Sequence, residues 1–252
     1  MSRLAWVDTA LGLARSLMVY HGKPWRLRAA KRFYAQFLKP GDLAFDLGAH
    51  VGDRVRIFRA LGARVVAVEP QPSCLAILRR LYGRDSSVTL LPVGVGAEAG
   101  QADLLISRRN PTVSTLSQGW SETVGRSENF ASVRWQDRVS VPVTTLDSLI
   151  AEHGRPDFCK IDVEGFEPEV LRGLSEPLPM LSFEFVTVAV EPSLECVDRL
   201  ETLGSYRFQA CIGEDKAFVF PDWIAGPEVR DWLKRQPEEV NSGDIYARLL
   251  PS

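Results

Sequence analysis

The run Phe45-Asp46-Leu47-Gly48-Ala49-His50-Val51-Gly52-Asp53 constrains this chain more than any other stretch. A short apolar segment ends in an acid, breaks at glycines and passes into a helical pattern over 52–62. A strand that feeds a helix through a glycine turn brings backbone close to a ligand at the helix N-terminus. A dinucleotide turn of the form G-x-G-x-x-G needs its second glycine beside the pyrophosphate, and here His50 stands at that place. A P-loop needs G-x-x-x-x-G-K-[ST], and neither that lysine nor that spacing is present. Asp46, at the strand end before Gly48, suits a cation better than a polyphosphate. S-adenosylmethionine carries an ammonium and a sulfonium and no phosphate, so the local charge favours it as the cofactor.

The next strand, Arg64–Glu69, also ends in an acid, followed by Pro70. A carboxylate at that strand end can accept hydrogen bonds from both ribose hydroxyls. The cofactor residues expected on these grounds are Asp46, Gly48, Ala49, His50 and Gly52 in the turn, with Glu69 and Pro70 at the second strand end. Val93 and Gly94, in the stretch Val93-Gly94-Val95-Gly96 after a third strand (Ser87–Val93), are expected near the adenine with only backbone to offer.

Strands alternating with helices at this short spacing argue for a mostly parallel sheet covered on both faces, a doubly wound α/β fold. The apolar strand interiors agree, because such a sheet is buried on both sides. Further strands are predicted at 102–107, 139–143, 157–163, 181–188 and 245–249, with two more hinged near Gly213 within 205–220. We see no internal repeat and no linker, so residues 1–252 are expected to form one domain. It divides into an N-terminal helical cap (1–38), a cofactor-binding core (39–190) and a C-terminal completion of the sheet (191–252). The polar segment 108–138, too long for an ordinary connection, is the expected acceptor loop. It holds Trp120, Phe130 and Trp135 among Arg108, Arg109, Arg126 and Arg134, a composition suited to a sugar or a flat acceptor.

Three blocks resemble the FkbM family of methyltransferases: Lys39-Pro40-Gly41-Asp42-Leu43-Ala44-Phe45-Asp46-Leu47-Gly48-Ala49-His50-Val51-Gly52, Thr145-Leu146-Asp147-Ser148-Leu149, and Lys160-Ile161-Asp162-Val163-Glu164-Gly165-Phe166-Glu167. Where His50 stands, that family more often has asparagine. The resemblance covers roughly residues 39–190. It implies a seven-stranded Rossmann-like sheet with one antiparallel strand, S-adenosylmethionine as cofactor, and O-methylation of a hydroxyl on a sugar or secondary metabolite. A nicotinamide oxidoreductase, or a binding protein that keeps the fold without the reaction, is the alternative from the residues alone.

Methyl transfer to an alcohol requires alignment of acceptor and donor and a place for the departing proton. Asp162, Glu164 and Glu184 are the expected catalytic groups. If the strand at 157–163 continues far enough, Lys160, Asp162 and Glu164 point to one side at its carboxyl end. Lys160 could equally neutralise Asp162, and Glu164 could serve the following helix. Glu184 lies in an apolar strand, where a charge needs a partner or a purpose. His50 has an ordinary pKa suited to a base, but its place in the turn argues for contact with the methionine carboxylate. The three carboxylates offer hard oxygen ligands, yet no motif compels a metal and none is assigned.

A net charge of −2 excludes a general polyanion binder. The acid-free stretch between Asp8 and Asp42 nevertheless carries Arg15, Lys23, Arg26, Arg28, Lys31, Arg32 and Lys39, so peripheral membrane contact by the N-terminal basic helices stays open. Leu4, Val7, Leu11, Ala14 and Met18 recur at helical spacing and are expected to pack against the domain. Asp162-Val163-Glu164-Gly165 is not the Pro-Pro-aromatic run common in enzymes that methylate base nitrogens, so no nucleic-acid partner is expected. Cys74, Cys159, Cys196 and Cys211 show no pairing or metal spacing and suit a reduced, cytoplasmic setting. No apolar run suggests a membrane span or a signal peptide.

Overall fold

A computed structural model describes residues 3–22, 24–213 and 215–251, with the backbone alone at 3, 4 and 24–26. Two helices, α1 (Arg3–His21) and α2 (Pro24–Tyr34), precede the first strand. Then come β1 (Leu43–Leu47), α3 (Asp53–Ala60), β2 (Arg64–Val68), α4 (Pro72–Tyr82) and β3 (Val88–Leu91). The short β4 (Gly94–Val95) and β5 (Gly100–Ile106) follow, then α5 (Gln118–Val124), β6 (Asp137–Thr144) and α6 (Leu146–His153). The chain closes with β7 (Phe158–Ile161), α7 (Glu167–Arg172), β8 (Met180–Val186), α8 (Glu191–Leu203), β9 (Tyr206–Ile212), α9 (Gly226–Lys234) and β10 (Ser242–Leu249).

Seven strands form one sheet in the order β3-β2-β1-β7-β8-β10-β9. β10 runs antiparallel to β8 and β9 while the other pairings are parallel. This is the seven-stranded Rossmann-like sheet with one antiparallel strand that the family resemblance implies. Strand alternation divides the core cleanly. Leu43, Phe45 and Leu47 face a layer built on α6, α7, α8 and α9. Ala44 faces α2, α3 and α4 with Val65, Ala67, Phe158 and Tyr246. Small residues on that second face let a dense aromatic cluster settle there. The Phe158 ring lies 5.5 Å from Phe37, 5.7 Å from Phe58 and 5.8 Å from Tyr34, centroid to centroid.

β5 and β6 pair antiparallel and join β4 in a separate three-stranded sheet. The segment between them is more ordered than its polarity suggests, because α5 and two single 3-10 turns occupy it. Among the described residues of 205–220 only β9 forms; the second strand expected beyond Gly213 is absent there, and Gln209 instead holds that stretch by accepting from the Phe220 N–H and donating to the carbonyls of Phe220 and Asp222.

The N-terminal helix overturns an expectation. Its inward face carries Ala5, Gly12 and Ser16, while Val7, Leu11 and Met18 point outward at 44%, 57% and 73% exposure. Gly12 is required there, since a Cβ would overlap the Arg108 carbonyl. Small residues win the contact because α1 lies on the backbone of 108–111, where a leucine has no room. Arg15, Arg28, Arg32 and Lys39 are exposed and Lys31 is half-buried. Lys23 lies outside the described residues, as do the side chains of Leu4 and Arg26. All four cysteines are buried and free, and among the described residues no helix is long and apolar enough to cross a membrane.

Phe158→Ala tests the aromatic layer. Its side chain is fully buried, so the substitution should cost roughly 3–5 kcal/mol of stability, seen as a lower urea midpoint with an unchanged slope.

Candidate active site

Sheet register sets a row of polar side chains across the buried α2/α3 face. Asp46 pairs with Lys160, Lys160 with Ser182, and Ser182 with Tyr246. One step nearer the carboxyl ends, Glu184 stands opposite Asp244. Lys160 is completely buried, and its Nζ donates to Asp162 Oδ2 at 3.0 Å and to Asp244 Oδ1 at 2.8 Å. Burial pushes this ammonium down, but Asp162 and Asp244 together outweigh that and hold it well above its ordinary value. The lysine therefore ties β7 to β10 and fixes Asp162 at the rim of the sheet.

β7 ends at Ile161, so the expected i, i+2, i+4 alignment along a strand fails at Glu164. A turn does the work instead. The Asp162 N–H donates to the Leu47 carbonyl at 2.9 Å, the Val163 N–H donates to Glu167 Oε1 at 3.0 Å, and Glu164 adopts a left-handed φ of 58°. Thr115 Oγ1 donates to the Glu164 carbonyl at 2.6 Å, pinning the turn to the segment after β5. The result still brings Asp162, Glu164 and Glu184 together, each with a carboxylate oxygen within 4.8 Å of the others. Glu167 is buried and serves the helix start, the role considered for Glu164.

The glycine turn approaches this motif directly. The Gly48 and Ala49 N–H groups donate to the Val68 carbonyl at 2.9 and 3.0 Å, and Gly48 has a φ of 86°. A Cβ on Gly48 would overlap the carbonyl oxygen of Asp162. Glycine is thus needed so that the ends of β1 and β7 can meet. His50 takes a φ of 48°, and its N–H donates to Glu69 Oε2 at 2.7 Å, while the Gln71 N–H donates to Glu69 Oε1 at 2.7 Å.

Two adjoining lobes open over these strand ends. The first, about 550 Å³, is lined by Gly48, His50, Glu69, Pro70, Val93, Gly94 and the 111–116 segment. The second, about 610 Å³, is lined by Tyr20, Asp46, Ala49, Arg54 and Glu184. Gly48, His50, Thr112, Asp162 and Glu164 line both, so the lobes form one cleft. Of the expected cofactor residues, Gly52 alone lines neither lobe. It starts α3 and accepts a hydrogen bond from the Tyr82 hydroxyl at 3.0 Å, a packing role.

Three buried groups in this cleft are unusual. Asp46 is 1% exposed, its Oδ2 has no hydrogen-bond partner, and burial pushes its carboxyl up to about 7, partly opposed by Arg54 and Lys160. Burial likewise pushes Glu69 up to about 7, against the two backbone N–H groups that favour its charge. His50 moves the other way, down to about 4, again through burial, and its Nε2 has no partner. A ring so hard to protonate is a poor base at neutral pH. A neutral imidazole remains able to donate one hydrogen bond.

The aromatics of 108–138 do not line the cleft. Trp120 and Phe130 are buried with Val186 and Ala189, and the Trp135 indole donates to the Val113 carbonyl at 2.8 Å. Trp120 covers Gly165, where a Cβ would strike its ring. Arg108 pairs with Asp137, Arg109 with Asp8, and Arg134 with nearby backbone. The segment's contribution to the cleft is Pro111, Thr112, Ser114 and Leu116, which sequence reasoning did not single out. Tyr20, Arg54 and Gln71 were also missed, since no motif marks a side chain brought in by a neighbouring helix or turn.

Fold and cleft together define a Rossmann-like domain with one open cleft across the ends of β1, β2 and β7. The model of the methyltransferase FkbM domain matches residues 46–236, and the chain belongs to that family. It is 32% identical over 152 residues to the methyltransferase sdnD of Sordaria araneosa, covering 52% of this chain and 59% of that protein. It is 23% identical over 172 residues to the hexuronic acid methyltransferase AglP of Haloferax volcanii, covering 65% of each. The chain thus spans under two thirds of the length of these curated relatives. Among solved structures, a TehB-like SAM-dependent methyltransferase from Corynebacterium glutamicum superposes with a TM-score of 0.46 at 11% identity, covering 88% of each chain.

Asp46→Asn tests whether this buried carboxyl holds its proton. The folded carboxyl holds its proton up to about 7 while the unfolded one releases it near 3.8, so the native contribution is present at low pH and lost as pH rises through about 7. The asparagine variant should therefore gain melting temperature over the wild type at pH 8 and show a smaller gain at pH 5. Equal differences at both pH values would show that Asp46 is not held protonated.

Proposed function

We propose that this protein is an S-adenosylmethionine-dependent O-methyltransferase whose acceptor is a hydroxyl of a carbohydrate or of a carbohydrate-bearing small molecule. One observation carries the cofactor reading: Asp46, buried and with an unpartnered oxygen, faces the cleft beside a glycine whose Cβ has no room. A buried carboxylate of this kind asks for a cation, and the cofactor's ammonium answers that demand. Glu69 and Pro70 would flank the ribose, Val93 and Gly94 the adenine, and the neutral His50 ring would donate to the methionine carboxylate. Family membership supports this reading, as does the match to a protein named as a hexuronic acid methyltransferase. A nicotinamide reading has nothing comparable behind it.

S-adenosylmethionine, when bound, supplies a methyl group on a positively charged sulfur. The chain's own part is to place a hydroxyl oxygen in line and to receive its proton. Asp162 lies where both lobes meet and is held there by Lys160. It would orient the acceptor hydroxyl and take the proton as the new carbon–oxygen bond forms, with Glu164 and Glu184 holding neighbouring hydroxyls. Alignment supplies the larger share of the acceleration, and the carboxylate adds a smaller one.

Asp162→Asn, which keeps shape and removes the proton acceptor, should reduce methyl transfer roughly 10²–10⁴-fold while leaving affinity for S-adenosylhomocysteine within a few-fold. The assay follows mass gain on a panel of uronic acids, hexoses and glycosylated metabolites. Transfer unaffected by Asp162→Asn would remove Asp162 from the reaction. A chain that binds the cofactor and methylates no hydroxyl compound would refute the reading of the acceptor.

A further inference from the structure

The far wall of the second lobe carries more negative charge than its neighbours can balance. Asp162, Glu164 and Glu184 present oxygens within 4.8 Å of one another. Of the three, Lys160 reaches Asp162, and its ammonium is already shared with Asp244. One Asp162 oxygen is thereby used, which leaves the other. Glu184 Oε2 is shut off from solvent and has no hydrogen-bond partner.

A second observation points the same way from a different strand. Asp46, at the end of β1 and 1% exposed, lines the same lobe and carries a buried oxygen without a hydrogen-bond partner. Five carboxylates therefore line one cavity, Asp53 among them, and its cationic lining residue Arg54 is itself paired with Asp53. The cofactor ammonium of the proposed reading accounts for Asp46 and leaves Glu164 and Glu184 without a counter-charge among the described residues. Protons or a cation must supply it.

The donor set decides which cation fits. Oxygen ligands alone, with no histidine or cysteine among them, suit a hard divalent ion such as Mg²⁺ or Mn²⁺. Three protein ligands leave coordination positions open toward the cleft, where an acceptor's oxygens would arrive. We propose that Asp162, Glu164 and Glu184 bind a divalent cation of this class, which grips the acceptor through its hydroxyl oxygens. An ion-bound hydroxyl loses its proton more readily, and Asp162 takes that proton on the oxygen that is not a ligand. No ligand motif marks the site in the linear sequence, because its members come from a turn and from the following strand. The role in gripping an acceptor rests on the O-methyltransferase reading; the binding of the ion does not.

Mn²⁺ is the probe, titrated into the chelator-treated 252-residue chain without cofactor or acceptor and followed by loss of the free-ion electron paramagnetic resonance signal. One Mn²⁺ per chain is expected, displaced by Mg²⁺ and weakened at least about tenfold in Glu184→Gln and in Glu164→Gln, which keep side-chain size. Circular dichroism melts of both variants show whether they are folded. Absence of saturable Mn²⁺ binding to the wild type up to about millimolar concentration, or equal binding by two folded variants, overturns the proposal. S-adenosylhomocysteine binding, measured on the same preparation, separates the two readings: it fails independently if the cofactor assignment is wrong and persists if only the metal site is wrong.

Discussion

The buried ammonium of Lys160 is the constraint on which the site depends. A lysine inside a sheet is tolerable only where its charge is met at close range, and here Asp162 and Asp244 meet it from two different strands. That arrangement requires β10 to return between β8 and β9, which is what its antiparallel insertion accomplishes. It also fixes the last residue before the turn, from which Glu164 and the start of α7 are hung. Asp244 responds as expected of such a partner. Burial would raise its carboxyl, but Lys160 above all, with Lys216 and Arg54, holds it below its ordinary value.

The same face shows a division of labour along each strand. Toward the amino ends, Ala44 and Phe158 belong to the aromatic layer under α2 and α3. Toward the carboxyl ends, Asp46 and Lys160 replace apolar residues at the same parity, and the helices draw back to leave the cleft. Open α/β sheets bind ligands at this end because the loops there diverge. Glycine at 48 and the left-handed Glu164 are the local costs of bringing two such loops into contact.

Much of this was legible in the linear sequence. Periodicity located most strands of the main sheet within a few residues, and the turn around Gly48 and the acids at 46 and 69 located the cleft. The failures have physical reasons. Glu164 reached its neighbours by a turn and not by strand alternation, since β7 ended at Ile161. Gly52 matched a binding pattern but served helix packing. The tryptophans of 108–138 suggested a stacking platform, yet an inserted segment needs its own small core, and they supply it. The apolar stripe of α1 was assigned inward because burial is the usual fate of such a stripe. Contact with backbone demanded alanine, glycine and serine there instead, and residues such as Tyr20 and Thr112 entered the cleft through that docking.

The central claim is that the cleft over β1, β2 and β7 holds S-adenosylmethionine. Calorimetric titration of the full chain with S-adenosylhomocysteine addresses it most directly. The account predicts one site per chain with a Kd at or below about 10 μM, close to −7 kcal/mol, and a clear loss of affinity in Asp46→Asn. No heat of binding with S-adenosylhomocysteine, together with saturable binding of a nicotinamide dinucleotide, would contradict it.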